Sequence, residues 1–244
     1  VKTPAADLVA LRDVALRLGI DSGREIRFAL ADFRVGEGEA VALTGPSGCG
    51  KSTLLNLIAG LRRPDSGSVR VAGCELANLG EAGIDRHRGK VCGIVFQSFH
   101  LLAPFDALEN VMIGLRFSGM GTRDCRRRAE AALDRVGLSG RRRSRPATLS
   151  VGERQRVAIA RAIASDPPLL LADEPTGSLD AATGREIFAL LCETAREAGR
   201  TLLLVTHEES LAASLPRRFD CSGLVESIAA VEAGPAKGKG GEAG

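Results

Sequence analysis

Four stretches of the chain are apolar almost without interruption, "VALTG" (41–45), "CGIVF" (92–96), "LLLAD" (169–173) and "LLLVT" (202–206). Runs this short, bounded by Gly, Pro and polar residues, read as strands buried on both faces, the pattern of a parallel sheet. They predict strands at 39–44, 91–96, 168–172 and 201–206. Earlier stretches at 8–18, 25–30 and 67–72 alternate more between apolar and polar residues, which predicts an antiparallel layer with one wet face. A period near 3.6 predicts helices at 50–60, 107–116, 122–136, 151–164, 180–198 and 208–215. In 122–136, Cys125, Ala129, Ala132, Leu133 and Val136 share one stripe and Arg126, Arg127 and Arg128 lie mostly outside it, so this helix is expected to pack with 107–116 and 151–164 in a helical lobe inserted between sheet strands. The last residues, "GPAKGKGGEAG", are Gly-rich and of low complexity, and 231–244 are expected to be a flexible tail.

At 244 residues one main domain is expected. A formal charge of +3 is too small to imply nucleic acid. No apolar run approaches the roughly 18 residues of a membrane span, and "VKTPAADLVALRD" lacks the order of a signal peptide, so the chain is expected to stay in the cytosol. Six cysteines without CxxC pairs or Cys/His spacing fit reduced thiols, with neither disulfide nor zinc expected. The chain has eight Phe and no Tyr or Trp, so any site that stacks a base must do so without either.

"GPSGCGKST", comprising Gly45, Pro46, Ser47, Gly48, Cys49, Gly50, Lys51, Ser52 and Thr53, follows the strand "EAVALT" and opens the helix "LLNLIAG". That strand–loop–helix context is what a phosphate-binding loop needs. Glycines let backbone N–H groups close on phosphate oxygens at a helix N-terminus. Lys51 then suits the β- and γ-phosphates of ATP, and Ser52 a Mg²⁺ ion. Cys49 is read either as a small residue filling a variable position or as a thiol activated beside a helix N-terminus and shielded by ATP.

"PLLLADEP" (168–175) ends a strand in two carboxylates, which alternation sends in different directions. Asp173 is assigned to Mg²⁺ and Glu174 to the water that attacks the γ-phosphate. His207 and Gln97 close two further strands, where ligands collect in open α/β sheets, and a Gln there can reach a metal or the attacking water. His87 and His100 are left as surface or packing residues.

Taken in order, the phosphate loop, Gln97, "LSVGE", "LLLADEP", "SLD" and "THE" resemble the ATP-binding cassette (ABC) ATPases over roughly residues 7–228. Within them, "GERQRVAIARA", "ADEPTGSLD" and "ALENV" resemble the ATPase subunits of the lipoprotein-release and macrolide-efflux group (LolD/MacB-like, with FtsE nearby). The resemblance implies an α/β fold: a P-loop NTPase (RecA-like) core with an antiparallel β subdomain, about 1–98 and 165–230, and an inserted α-helical subdomain, about 99–164, in one ABC ATPase domain. It implies a head-to-tail homodimer clamping two MgATP, each between one P-loop and the signature of the other subunit. Ser150, Gly152 and Glu153 match that signature, and the Ser150 hydroxyl and helix-start N–H groups would meet the opposing γ-phosphate. Asp180 matches the D-loop across the same interface, His207 the switch histidine and Leu18 the position that usually stacks adenine. It also implies an ATP hydrolase on the inner face of the cell membrane, driving a separate permease, with the cargo selected there. In "SFHLLAPFDALENV" (98–111), Leu101, Leu102 and Phe105 are read as docking contacts or as loop packing, and "GRRRSR" (140–145) as a solvated face or an anionic-lipid contact.

Two positions depart from the family. Val151 stands where most members have glycine, which keeps the N–H donor but restricts φ and adds bulk, so weaker closure is expected. Leu18 replaces an aromatic, so weaker base selectivity is expected. The alternatives are an FtsE-like ATPase that regulates a membrane complex, and a soluble ABC ATPase acting on nucleic acid or the ribosome. The second is disfavoured, because the chain shows neither a coiled-coil or zinc insertion nor two fused cassettes. A generic P-loop kinase leaves "LSVGE" and His207 unexplained.

Overall fold

The computed structural model describes residues 7–21, 24–116 and 120–229; the tail expected at 231–244 lies outside them. β1 (Asp7–Asp21) and β2 (Arg24–Gly36) form a long antiparallel hairpin. β3 (Ala40–Thr44) leads into α1 (Lys51–Ile58), followed by β4 (Ser66–Val71), the short β5 (Cys74–Glu75), α2 (Glu81–Val91) and β6 (Cys92–Phe96). Three helices come next, α3 (Ala107–Arg116), α4 (Thr122–Arg135) and α5 (Val151–Ile163), then β7 (Leu169–Asp173), α6 (Ala181–Glu197), β8 (Thr201–Val205), α7 (Glu209–Ala213), β9 (Arg217–Asp220) and β10 (Val225–Ala229).

The strands form two sheets, an antiparallel one in the order β10-β2-β1-β4-β5 and a parallel one in the order β6-β7-β8-β3-β9. Each central parallel strand divides its side chains between two cores. Val41, Leu43, Leu169, Leu171, Leu203 and Val205 face the antiparallel sheet and α1. Ala42, Leu170, Ala172, Leu202 and Leu204 face the helices. Double burial is why these strands carry no polar alternation.

The pattern did not predict α2, β5, β9 or β10. In α2 only Ile84 is buried, and two glycines interrupt it, so it shows little periodicity. β9 is an exposed edge strand, and β10 is defined by its pairing with β2, Val225 opposite Phe28. α3, α4 and α5 pack on one another between β6 and β7 in chain order, and the stripe of Cys125, Ala129, Ala132, Leu133 and Val136 is buried in their shared core. No helix is long and apolar enough to cross a membrane among the described residues.

Candidate functional site

β3 and α1 are joined by a loop that only glycine permits at three points. Gly45, Gly48 and Gly50 have φ of 129°, 79° and 106°, in the left-handed region that side chains disfavour. At Gly50 space is also limiting, because a Cβ would stand 3.0 Å from the buried Phe28 ring and 3.1 Å from Val225. Gly50 is the N-cap of α1, no side chain caps that terminus, and its first turn has no acid. Its orphan N–H groups and positive dipole end therefore point into the loop without competition, as an anion site requires. Lys51 is buried, its Nζ donating to the carbonyls of Gly45 and Pro46 at 2.8 Å each.

Ser52 hydrogen-bonds Asp173 at the C-terminal end of β7. Burial raises the Asp173 carboxyl above its ordinary value; the Ser52 bond opposes this, the Glu174 charge adds to it, and the charges of Lys51 and His207 lower it. Alternation was expected to part Asp173 from Glu174. β7 ends at Asp173, and Glu174 turns to a φ of 47° with its N–H bonded to the Val205 carbonyl at 3.1 Å. Its Oε1 lies 2.5 Å from His207 Nε2. Ser47, Gly48, Gly50, Lys51, Ser52, Thr53, Glu174 and His207 thus line one cleft of ≈ 180 Å³. A hydroxyl beside one carboxylate fits Mg²⁺, which takes few protein ligands and keeps waters and substrate phosphates. No cluster of three or more His, Cys, Asp or Glu suited to a metal occurs among the described residues.

The remaining candidates stand outside this cleft. Gln97 follows β6, and its amide nitrogen lies 2.8 Å from where a Cβ on Gly177 would be. Leu18 is half-buried on β1 against the core under the antiparallel sheet. Ser150 is the N-cap of α5 in a complete capping box, its Oγ accepting from Glu153 N at 3.1 Å and its N–H donating to Glu153 Oε2 at 2.8 Å. Those bonds, chiefly the one from the Ser150 backbone, hold the Glu153 carboxyl below its ordinary value. The box uses the N–H of Glu153 and leaves the N–H groups of Val151 and Gly152, at the first two positions of α5, for a ligand. Asp180 caps α6, Oδ1 accepting from Ala182 N at 3.1 Å and Thr183 N at 3.0 Å.

Cys49 is buried, its Sγ 3.9 Å from Lys51 Nζ and 2.8 Å from where a Cβ on Gly45 would be, a packing position inside the loop. Val151 is the first residue of α5 and has no positive φ, so its β-branch meets no backbone conflict there; the residue is 37% exposed. Leu101 is half-buried, while Leu102 and Phe105 are exposed.

Three contacts were not expected from the motifs. Gly152 faces Thr183, and a Cβ on it would stand 2.8 Å from Thr183 Cγ2, so the starts of α5 and α6 touch. Gln155 is fully buried and donates to the Pro175 carbonyl at 2.7 Å, tying α5 to the turn after Glu174. Arg161 holds the segment after Gln97 from α5. Gln155 was detectable as a polar residue within an apolar stripe. The other two depend on how α5 packs against α6 and against the loop after β6, which no local pattern carries.

A family model described as ABC transporter matches residues 29–177. The chain is 48% identical over 197 residues to the lipoprotein-releasing system ATP-binding protein LolD of Chromohalobacter salexigens, covering 80% of this chain and 83% of that protein. It is 50% identical over 199 residues to LolD of Anaeromyxobacter dehalogenans, covering 81% and 80%. Among solved structures it is similar to the dimeric ATP-binding cassette MJ0796 bound to ADP and Pi, with a TM-score of 0.77 and 35% identity over 90% of this chain and 98% of that one.

Proposed function

The chain belongs to the ABC transporter family, and from that membership we propose that it is the ATP-hydrolysing subunit of a transporter that extracts lipoproteins or related lipids from a membrane. In this reading two copies pair head to tail around two ATP molecules and drive a separate membrane-spanning permease from its cytoplasmic face. The names of the LolD relatives support the cargo class, and the dimeric MJ0796 cassette supports the pairing.

One observation carries the reading. Lys51, Ser52, Glu174 and His207 converge on one cleft, while the free N–H groups at the start of α5 lie outside it. In this reading a nucleotide in the cleft meets the Ser150 terminus of a second copy, an isologous contact made twice about a two-fold axis. Lys51 would leave the loop carbonyls for the β- and γ-phosphates, and the α1 terminus would hold the phosphate oxygens. Glu174, held by His207, would take the proton of the attacking water. A bound magnesium ion would neutralise charge on the phosphates, with Ser52 and Asp173 as its protein partners. The N–H groups of Val151 and Gly152 would add charge-assisted bonds from the partner.

Steady-state hydrolysis tests this with Lys51→Ala and Ser150→Arg. Loss of activity in both is expected, although Ser150 does not line the cleft of its own chain. Full activity in Ser150→Arg would overturn the paired site. Co-purification with a membrane-spanning permease tests the transport assignment separately.

A further inference from the structure

Arg161 lies in the last turn of α5, its Nη1 2.6 Å from the His100 carbonyl and its Nη2 2.6 Å from the Phe99 carbonyl. Phe99 and His100 have φ of 58° and 47°. Two consecutive non-glycine residues keep left-handed conformations only where the surroundings hold them. A forked guanidinium is suited to this task, because it binds two neighbouring oxygens at once and lysine cannot reproduce the fork. Arg154, also on α5, stands 5.7 Å over the Phe99 ring and adds a second hold on the segment.

The position of Arg161 is itself fixed by two glycines. On α3, a Cβ at Gly114 would come to 3.0 Å from Arg161 Cγ. On β6, a Cβ at Gly93 would come to 2.3 Å from the Ala162 carbonyl oxygen. α5 thus seats at one depth against both elements, at the turn that carries Arg161. Burial lowers the guanidinium from its ordinary value.

We propose that Arg161 is a positioning residue for ATP hydrolysis, which sets the place of Gln97 by clamping Phe99 and His100 and ties that place to Ser150 at the other end of the same helix. Arg161 lies eleven positions after Ser150, about 16 Å along a rigid helix. The proposal rests on the reading of Gln97 and Ser150 as parts of a paired ATP site.

The test uses the full chain in five forms: wild type, Arg161→Ala, Arg161→Lys, Gln97→Ala and the double Arg161→Ala/Gln97→Ala variant. Arg161→Ala is expected to lower kcat by about ten- to a hundredfold, with KM for ATP within about twofold. Arg161→Lys is expected to recover only part of the loss. In the Gln97→Ala background, removing Arg161 is expected to cost nothing further, because the clamp acts through Gln97. Multiplying effects, or a Gln97→Ala variant of full activity, would overturn the proposal. Amide exchange reports without hydrolysis. The N–H groups of Phe99 and His100, bonded to the Phe96 and Ser98 carbonyls, should exchange faster in Arg161→Ala, by more than those of the parallel strands. Unchanged exchange there would show that no clamp exists. A wild-type chain that does not hydrolyse ATP, yet shows this exchange response, would sink the functional reading and leave the clamp standing.

Discussion

Oε1 of Glu174 and Nε2 of His207 stand 2.5 Å apart, across the ends of two neighbouring parallel strands. The contact exists because Glu174 turns into a left-handed conformation directly after β7, while His207 follows the end of β8. A base held by a second residue keeps its orientation through the reaction. Glu174→Gln should therefore lower kcat by about 10²–10⁴-fold with ATP binding retained. His207→Ala should lower it by less, because the carboxylate survives without its holder. Steady-state hydrolysis beside equilibrium nucleotide binding checks both, and a fall in binding as large as the fall in rate would contradict these roles.

Gly152 and Thr183 make a second testable contact, since a Cβ on Gly152 would come to 2.8 Å from Thr183 Cγ2. Thr183 is β-branched and stiff, and its N–H is bonded to Asp180. Overpacking of this kind costs about 1–3 kcal/mol. Gly152→Ala should lose that stability and displace the Asp180 cap. Thr183→Ser, which removes the methyl, should restore most of it in the double variant. Denaturant melts of the four forms measure the coupling, and additive losses would show that the two helix starts do not touch.

Val151 sits at the first helical position of α5 with its side chain partly in solvent. Val151→Gly should leave hydrolysis equal or higher, with a loss of up to about 1 kcal/mol from backbone freedom. A large fall in activity at unchanged folding would instead make Val151 an adapted contact of the paired interface.

Asp173 carries a stability cost that depends on pH. Burial raises its carboxyl above the ordinary 3.8. Below that value both states are protonated and the group costs nothing. As pH rises past it the unfolded chain ionises first, so stability falls until the folded carboxyl ionises as well. In magnesium-free buffer near neutral pH, Asp173→Asn should therefore melt above wild type, with the gap closing as pH falls towards 3.8, while hydrolysis is lost. A lower Tm across the whole range would show that the ionised carboxylate stabilises the fold.

The four buried parallel strands were legible because double burial leaves an uninterrupted apolar run, as in Leu169–Ala172 and Leu202–Val205. The loop from Gly45 to Thr53 was legible because its glycines and Lys51 occur in a fixed order between a strand and a helix. What stayed hidden lacks a local signature. α2 buries one apolar residue, and β10 is a strand only because β2 offers it an edge. The left-handed turn at Glu174 was not legible, because a strand's period applies only as far as the strand does. The contacts Gly152–Thr183 and Arg161–Phe99 join residues 31 and 62 positions apart, the first between two helix starts and the second between α5 and the loop after β6, and both arise from tertiary packing.

The most direct test of the paired site is the molar mass of Glu174→Gln in solution, measured by light scattering with and without MgATP. With hydrolysis stopped and binding intact, the protein should pass from monomer to dimer on adding MgATP, and Ser150→Arg in the same chain should abolish the shift. A Glu174→Gln protein that binds MgATP and remains monomeric at every concentration would contradict the account, because the start of α5 would then have no partner nucleotide to meet.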